Sequence, residues 1–455
     1  MRNFIVNKLS HFNGSKHTAF KRSWNSIDLD KVAVAAIFIL FLIFNMSIPL
    51  TGTSDDGILF AGPLMKSFDG NFFAFLSNRY SHWSSRIIIE FFTLLSVRHG
   101  FFWRIINTCS LTAMSVIPVY IFSFKTRKST LLMLSTSLVL MMPTSMFAET
   151  GWIATTTNYS WVLAAFLGFL VIVLKPERKM RWLSWVFSLF LVAYSSNLEQ
   201  MCVVLIVVIP IIAFYFYGSK WWLLAPHYLI VLSNLALIYF CKGNKIRYAK
   251  EVANRFPDFT SLSIFRKIEM GYSSSLKSLF FDGHILFLVL ALTLFFALSR
   301  SSLVSKQFIG SVPLVSFLIF NLFSGLFHTK LKIIDIVLGS FNKYGTSFKL
   351  LHPTTWMADL VMLFIATSII VSIAFILKSE PRKFLAVLLM LSLAFITKLV
   401  LAFSPTIWAS GERTGIFLFY AVGITALTVL AKRDTSKMLQ GTILSLGAFC
   451  YLGWL

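Results

Sequence analysis

The feature that most constrains this chain is a series of apolar runs that follow one another from residue 32 to residue 455. A helix of about 17–25 apolar residues crosses the hydrocarbon core of a bilayer. Because lipid offers the backbone no hydrogen-bond partners, such runs must be helical. The ten-residue alternation of an outer-membrane barrel is not seen. We therefore predict an all-α, polytopic helical membrane protein with about 13 transmembrane helices.

The predicted spans lie, in chain order, at residues 32–50, 101–124, 130–147, 158–174, 182–196, 198–217, 221–241, 284–299, 309–327, 356–377, 384–403, 414–431 and 439–455. They divide the chain into a cytoplasmic basic tail (1–31), an N-terminal transmembrane half (32–241), an outer loop (242–283) and a C-terminal transmembrane half (284–455). The N-terminal half contains a first outer loop, 51–83, whose many aromatic residues predict interfacial helices lying on the membrane.

The distribution of charge sets the predicted orientation. Only 13% of the residues are charged, and the formal net charge is +23. With the N-terminus inside, the inner connections are short and basic, as the positive-inside rule requires. These connections are residues 125–128, 175–181, 219–220, 300–306, 378–383 and 432–437. The excess of basic residues is therefore attributed to membrane topology and to contacts with anionic headgroups rather than to nucleic-acid binding. In this orientation, every candidate functional residue is predicted to lie on the outer face.

Residues that commonly hold metals or form disulfides show no such pattern here. The four cysteines, Cys109, Cys202, Cys241 and Cys450, lie in or at the edge of apolar runs and are interpreted as packing residues. The histidines form no pair at helical spacing. The sequence contains no zinc signature, glycine-rich phosphate loop or nucleophile elbow. These patterns predict no metal site.

Two adjacent carboxylates, Asp55 and Asp56, follow the first apolar run and are predicted to lie at the membrane surface. A carboxylate there is costly to desolvate unless it has a partner or a chemical role. One interpretation is that the pair caps the next helix, since Asp commonly precedes helices. The other is that one of them is a general base or a substrate ligand. Mutual repulsion is expected to raise the pKa of one of the two.

Other polar clusters lie at the predicted outer ends of the helices. The candidate substrate-binding residues in them are Arg86, Glu149, Asn158, Glu199, Asn244, Arg247 and Arg413. Glu199 stands beside long apolar runs, where an ionisable residue usually faces a cavity or a partner. The alternative for Glu199 is a structural ion pair with Arg86, Arg247 or Arg413.

The arginines supply the second half of the predicted chemistry. Arg247 and Arg413 are preceded by turn-forming residues, Gly243-Asn244 and Gly411, and turns fix a backbone near a ligand. The planar guanidinium group suits phosphate oxygens. A carboxylate can take the proton from an incoming hydroxyl while arginines stabilise a departing phosphate. At a membrane surface, this combination predicts transfer from a phosphate-linked lipid donor.

An ordered set of motifs extends over residues 50–415. In chain order the motifs are Ser54-Asp55-Asp56, Trp83-Ser84-Ser85-Arg86, Gly151-Trp152 with Asn158-Tyr159, Asn197-Leu198-Glu199, Gly243-Asn244-Lys245-Ile246-Arg247, and Ser404-Pro405 leading to Arg413-Thr414. The set resembles the GT-C class of membrane glycosyltransferases, which use polyprenyl-phosphate sugars. Within that class it is similar to bacterial proteins related to the serotype-converting glucosyltransferases.

The resemblance implies a GT-C-like fold and an inverting displacement at the sugar carbon, with lipid phosphate as the leaving group. Asp55 or Asp56 would be the catalytic base, and Arg247 and Arg413 would hold the donor phosphate. The residues expected to shape the sugar site or orient those arginines are Arg86, Glu149, Asn158, Glu199 and Asn244. No cofactor is clearly implied, and a divalent metal near Asp56 is left open.

The resemblance also implies a location and partners. The expected location is a bacterial plasma membrane, with the N-terminus cytoplasmic and the active site on the outer face. The donor would be a polyprenyl-phosphate-linked hexose and the acceptor an envelope glycan such as O-antigen or a teichoic acid. A flippase and a donor-lipid synthase are further expected partners.

Three other functions are compatible with the residues. A polysaccharide polymerase or ligase would use outer-loop arginines without the early Asp pair. A flippase or transporter of lipid-linked sugars would be favoured by broken helices with charges at the membrane midplane and by internal repeats, and no repeat is seen. A structural or sensing membrane protein needs none of these motifs.

Overall fold

The structure, a computed structural model, describes residues 29–50, 52–122, 128–174, 182–327, 332–349, 351–432 and 437–454. This part of the chain is helical and contains no strand, only two isolated backbone bridges. The α-helices are α1 (Leu29–Ser47), α2 (Gly62–Phe68), α3 (Phe72–His82), α4 (Ile87–Arg98), α5 (Gly100–Ile121), α6 (Lys128–Leu140), α7 (Ser145–Ala148), α8 (Trp152–Asn158), α9 (Ser160–Val173), α10 (Trp182–Ser195), α11 (Glu199–Ile212), α12 (Ala225–Phe240), α13 (Lys242–Arg255), α14 (Ile264–Phe280), α15 (Ile285–Ser299), α16 (Val304–Phe317), α17 (Ser324–Phe327), α18 (Lys332–Gly339), α19 (Met357–Ile376), α20 (Pro381–Leu399), α21 (Ile416–Lys432) and α22 (Lys437–Trp454). Short π or 3₁₀ segments lie at Asp56–Ala61, Ala213–Tyr217, Gly218–Leu224, Pro257–Ser261, Leu318–Leu322, Pro353–Trp356, Val400–Phe403 and Glu412–Gly415.

Several of these helices are long and apolar enough to cross a membrane. Within the described residues there are eight such stretches, or nine if α14 and α15, which meet at a bend of 74°, count as one broken span. The eight are Leu29–Ser47, Gly100–Ile121, Trp152–Val173, Glu199–Phe240, Val304–Leu322, Pro353–Ile376, Pro381–Phe403 and Glu412–Lys432. The architecture is that of a polytopic helical membrane protein.

Each of the thirteen predicted runs coincides with a helix, but several helices are shorter than the run that predicted them. The run predicted at 130–147 is an α-helix only as far as Leu140, and Pro143 follows before the short helix α7 begins. Two predicted runs, 198–217 and 221–241, form one helical stretch that changes direction at Gly218 (φ 50°). Its two arms, α11 and α12, pack against each other.

Helix α21 occupies the middle of the bundle. Every residue from Ile416 to Leu430 is buried. The helix packs against α6, α15 and α20, so it joins elements from both halves of the chain. The large core cluster that surrounds it extends from α1 to α22.

The two predicted outer loops are mostly helical. Loop 51–83 contains α2 and α3, which pack on α4 through a small apolar cluster that includes Phe60, Leu64 and Phe75. Segment 242–283 contains α13, whose residues are mostly exposed, and α14, one face of which is buried through Met270 and Leu276. These helices bring polar groups of the loops onto the end of the bundle.

Basic side chains lie at the other end of the bundle. Lys128 packs over the ring of Tyr120 at the C-terminus of α5, with 5.0 Å from its Nζ to the ring centroid. Lys432, at the C-terminus of α21, pairs with Glu380. The candidate Arg413 precedes the N-terminus of α21, so it lies at the opposite end. The predicted tail up to residue 28, and the basic connections 125–127, 175–181 and 433–436, lie outside the described residues.

Candidate active site

Asp56 caps a helix that lies far from it in the sequence. Its Oδ2 accepts a hydrogen bond from the Ile153 amide (3.0 Å) and its Oδ1 accepts one from the Ala154 amide (2.7 Å). These amides belong to the first turn of α8, whose donors have no partner within the helix. Asp56 is 7% exposed. The prediction that the pair caps the next helix is wrong, because neither carboxylate caps the segment that begins at Asp56. Asp56 instead binds the amides of the distant helix α8.

The pKa of Asp56 follows from this position. Burial raises the pKa of the carboxyl, and the hydrogen bonds from Ala154 and Ile153 partly oppose the increase. Repulsion by Asp55 adds a smaller increase. The expectation that repulsion would raise one pKa is thus correct in direction, but desolvation is the main cause.

Gly151 makes the contact between Asp56 and α8 possible. Its φ is 122°, and a Cβ at this position would lie 2.6 Å from both Asp56 Cγ and Ser54 Oγ. Only glycine fits so close to the carboxylate in this backbone conformation. The Gly151-Trp152 pair therefore has a defined structural reason: it lets α8 begin directly on Asp56.

We expect Gly151→Ala to lower the free energy of unfolding by about 2 kcal/mol more than Gly218→Ala does. Both glycines have positive φ, so both substitutions introduce backbone strain, on the order of 1–3 kcal/mol. Around Gly218, however, no atom lies within 4 Å of the added Cβ. The difference in thermal unfolding midpoint between the two variants, in one detergent, measures the steric effect. Equal destabilisation by the two substitutions would show that Asp56 can move away from the added Cβ without a further loss of stability.

Asp55 is in a different position from its neighbour. Both aspartates line a cavity of about 480 Å³, whose other lining residues are Pro49, Thr53, Ser54, Ile58 and the segment Ala148–Trp152. The backbone amide of Asp55 donates to Thr150 O (2.9 Å). The carboxylate of Asp55 has no hydrogen-bond or ion-pair partner among the described residues, and the residue is half-buried. The volume is within the range of small-molecule sites, about 300–1,000 Å³.

Glu149 joins this cavity to the segment before α21. Its Oε2 accepts a hydrogen bond from the backbone amide of Arg413 (3.1 Å). A Cβ on Gly411 (φ 65°) would lie 1.6 Å from Glu149 Oε1, so the carboxylate fills the place of a side chain there. The predicted turn at Gly411 is confirmed. The guanidinium of Arg413 has no hydrogen bond or ion pair within the described chain.

Arg86, Glu199 and Asn158 form a second cluster. Arg86 Nε donates to Glu199 Oε2 (2.8 Å), and the Arg86 fork also reaches Asn158 Oδ1 (3.0 Å). The side chains of Arg86 and Glu199 are 22% and 24% exposed. Burial lowers the pKa of the Arg86 guanidinium, but the attraction of Glu199 outweighs burial and the pKa is raised overall.

Arg247 lies at the edge of this second cluster. Its nearest guanidinium nitrogen is 4.0 Å from Glu199 Oε1, which is an ion pair without a hydrogen bond. Burial, followed by repulsion from Arg86, lowers the pKa of Arg247. Asn244 donates to Ser85 Oγ (3.0 Å), and its own Oδ1 is buried with no partner in the described part of the chain. Both groups thus retain hydrogen-bonding capacity for a ligand.

The turn predicted at Gly243-Asn244 is wrong, because both residues lie in the first turn of α13. Gly243 is required for packing instead. A Cβ there would lie 2.3 Å from the Trp83 amide nitrogen and 2.8 Å from Tyr80 O, so α13 rests on the backbone at the end of α3. This close packing places Arg247 near Glu199.

Helix α8 and Gln200 connect the two clusters. Asp56 binds the N-terminal amides of α8, and Asn158, at its other end, binds Arg86. Seven residues of helix are about 10 Å long. On the other side, Gln200 Nε2 donates to Thr397 O (2.7 Å) and lies 3.3 Å from Thr414 O. The predicted site residues therefore gather at one end of the bundle, in two clusters about one short helix apart.

Sequence reasoning missed two members of this region. Arg79 forms a bidentate pair with Glu90 at 2.9 and 2.8 Å, and it stacks near the rings of Phe60 and Trp83. Lys398 donates to Thr414 Oγ1 (3.0 Å) from the end of a predicted span. Lys398 could have been noticed, since an ionisable residue at the end of an apolar run is unusual.

No group of three or more His, Cys, Asp or Glu side chains in the described ranges is arranged to hold a metal ion. Comparison with models of protein families, with curated proteins and with solved structures finds no match for the chain.

Proposed function

We propose that the protein is a membrane glycosyltransferase of the GT-C type, which moves a hexose from a polyprenyl-phosphate sugar to a cell-envelope glycan. The proposal depends on one observation. Asp55 is a carboxylate without a partner among the described residues, in a cavity of about 480 Å³, and a cluster of guanidinium groups lies one short helix away. A carboxylate suited to acid–base chemistry and guanidinium groups suited to phosphate binding therefore lie at the same end of the bundle.

The proposed step is a single displacement. Asp55 takes the proton from an acceptor hydroxyl, and the hydroxyl oxygen bonds to the anomeric carbon from the face opposite the phosphate. The bond between that carbon and the phosphate oxygen breaks, and the lipid phosphate keeps the electron pair. Arg247 and Arg413, whose guanidinium groups make no hydrogen bonds within the described residues, stabilise the departing phosphate. The sugar configuration is inverted.

The remaining candidates hold these groups in place. Asp56 fixes α8 and with it the cavity wall, so it is a positioning residue and Asp55 is the base. Arg86, Glu199 and Asn158 orient Arg247, and the free oxygen of Asn244 would accept a sugar hydroxyl. Glu149 holds the Arg413 backbone.

An apolar groove supports a lipid-linked donor. Its volume is about 550 Å³, and it opens between α3, α4 and α12. Ile87 and Ile88, which follow Arg86 directly, line it together with Phe73, Tyr80 and Leu237. An isoprenoid chain in this groove would bring its phosphate to the guanidinium cluster.

The finer membrane arrangement is part of the same proposal: about 13 spans in a bacterial plasma membrane, with the N-terminus inside and the site on the outer face. The supporting observation is that Lys128, beside the C-terminus of α5, and Lys432, at the C-terminus of α21, lie at the end of the bundle opposite the candidate site.

Purified protein in vesicles, given a polyprenyl-phosphate hexose labelled in the sugar, should release unlabelled lipid phosphate and transfer the label to an envelope glycan acceptor. A flippase would instead move the intact labelled lipid across the bilayer. A polymerase would change glycan chain length and leave side-branch sugars unchanged. An envelope glycan profile from cells with and without the protein separates these outcomes, and label that stays on the lipid contradicts the proposal.

A further inference from the structure

A second acidic cluster lies where the turn at residues 342–347 packs on α14 and α19. Asn342 and Gly345 exchange backbone hydrogen bonds of 2.9 and 3.1 Å, which close the turn. Thr346 follows and is 3% exposed. Its amide donates to Glu269 Oε1 (2.8 Å). The turn is thus attached to α14 through the side chain of Glu269.

The hydroxyl of Thr346 lies between two carboxyl groups. Its Oγ1 is 2.6 Å from Glu269 Oε1 and 2.7 Å from Asp359 Oδ2. A threonine hydroxyl has one proton to donate, and an ionised carboxylate can only accept. Two hydrogen bonds at these distances therefore require a second proton, which must be on one of the carboxyl groups.

The neighbours of the two carboxyl groups indicate which of them is neutral. Glu269 also accepts a hydrogen bond from the Arg266 guanidinium (3.0 Å) and one from the Thr346 amide. The carboxyl of Asp359 meets only Thr346, and its Oδ1 is buried with no partner among the described residues. Tyr272 donates to the backbone carbonyl of Asp359, not to its carboxyl group.

The charged groups that act on Asp359 are Glu269 and Arg266, both from α14. Arg266 is committed to Glu269 and to Phe348 O (3.1 Å). Lys343 and Tyr344 of the turn face the other way, towards Phe256 and Asp258. A negative charge on Asp359 would therefore lie beside Glu269 with no cation of its own.

We propose that Asp359 carries a proton and donates it to Thr346, that Thr346 donates to ionised Glu269, and that this chain of hydrogen bonds holds the turn against α14 and α19 in a proton-dependent way. When the proton leaves, two negative charges share one hydroxyl, and the turn is released. The packing is tight at this point, since a Cβ on Gly345 (φ 76°) would lie 2.6 Å from Glu269 Oε1.

The turn at residues 342–347 also contacts the segment that leads to Arg413 in the candidate active site. Trp408 Nε1 donates to Lys343 O (2.7 Å), and Trp408 lies three residues before Gly411. Release of the turn would loosen the backbone that presents Arg413. This last link rests on the proposed function, whereas the proton-dependent contact does not.

Amide hydrogen exchange of residues 341–349 in the full-length protein, in detergent between pH 5 and pH 9, tests the proposal. After correction for the intrinsic pH dependence of exchange, protection should fall at least tenfold towards alkaline pH. Asp359→Asn should keep the protection and lose its pH dependence, because the asparagine amide also donates to Thr346. Glu269→Gln should lose protection at least tenfold at every pH, because it removes the partner of Arg266.

Exchange within Ile416–Leu430 reports whether each variant is folded, since that helix is buried throughout. The proposal is overturned if the folded Asp359→Asn variant loses as much protection as Glu269→Gln, or if protection in the unmodified protein does not depend on pH. Neither readout uses glycosyl transfer, so failure here and failure of the proposed function are distinguishable.

Discussion

Asp55→Asn should lower the rate of sugar transfer by about 10²–10⁴-fold, the usual contribution of a positioned general base. The reason is that its carboxylate lines the cavity with no partner among the described residues and is free to accept a proton. The bundle should remain folded, because no side-chain contact is lost. Transfer from the labelled lipid donor and the thermal unfolding midpoint are measured on the same preparation.

Asp69 provides a matched control for this variant, and Asp56 provides a comparison. Asp69→Asn makes the same chemical change in the same loop, at an exposed position with φ 48°, which asparagine tolerates well, so transfer should not change. Asp56→Asn should instead destabilise the protein by about 1–3 kcal/mol, since one amide of α8 loses its acceptor. If Asp55→Asn keeps full transfer, Asp55 is not the base. If a folded Asp56→Asn is the inactive variant, the two roles are reversed.

Glu199→Gln should lower the free energy of unfolding by about 2–3 kcal/mol, somewhat less than a fully buried ion pair would lose. Glu199 is the only carboxylate paired with Arg86 or Arg247 in the described chain. Without the negative charge of Glu199, the partly desolvated guanidinium groups of Arg86 and Arg247 would repel each other. Unfolding by denaturant in micelles measures the loss.

Glu251→Gln is the matched control, because Glu251 pairs with the exposed Arg255 one helical turn away. Pairs of this kind contribute about 0.3–0.5 kcal/mol. The double variant Glu199→Gln with Arg247→Gln should recover part of the lost stability, since it removes the repulsion. Similar losses for Glu199→Gln and Glu251→Gln would show that the cluster around Arg86 does not stabilise the fold.

The helical architecture could be predicted from the sequence, because a long apolar segment in lipid must form its backbone hydrogen bonds within itself, as a helix does. Each predicted run coincides with a helix, from residues 32–50 to residues 439–455. Hydrophobicity located the interruption near Gly218, between the runs 198–217 and 221–241, but not the one at Pro143, which lies inside the run predicted at 130–147. It also did not predict the sharp bend between α14 and α15, where Gly283 has a positive φ and Asn321 donates to Phe280 O.

For the candidate site, the sequence predicted the partners of Glu199 but not the partner of Asp56. Glu199 was expected to pair with Arg86, Arg247 or Arg413, and the pairs with the first two are present. The role of Asp56 could not have been deduced, because α8 begins about a hundred residues later and sequence spacing carries no information about such a contact. The catalytic and substrate-binding roles remain predictions that the variants above test.

Asp359 and Glu269 were not singled out at all. Each looks unremarkable in the sequence: one stands in the first turn of an apolar helix, and the other lies three residues after Arg266 on α14. Only the structure shows that the Thr346 hydroxyl lies between the two carboxyl groups, which is the basis of the proposed chain of hydrogen bonds.

The burial of α21 has a consequence for how the protein is made. A helix enclosed on all sides by other helices has little lipid-facing surface, and three of the helices that enclose it, α6, α15 and α20, precede it in the chain. We expect these earlier helices to pack closely only after α21 has been made and lies between them. A chain that stops before residue 412 would lack the piece that closes the assembly, and we expect cellular quality control to degrade it.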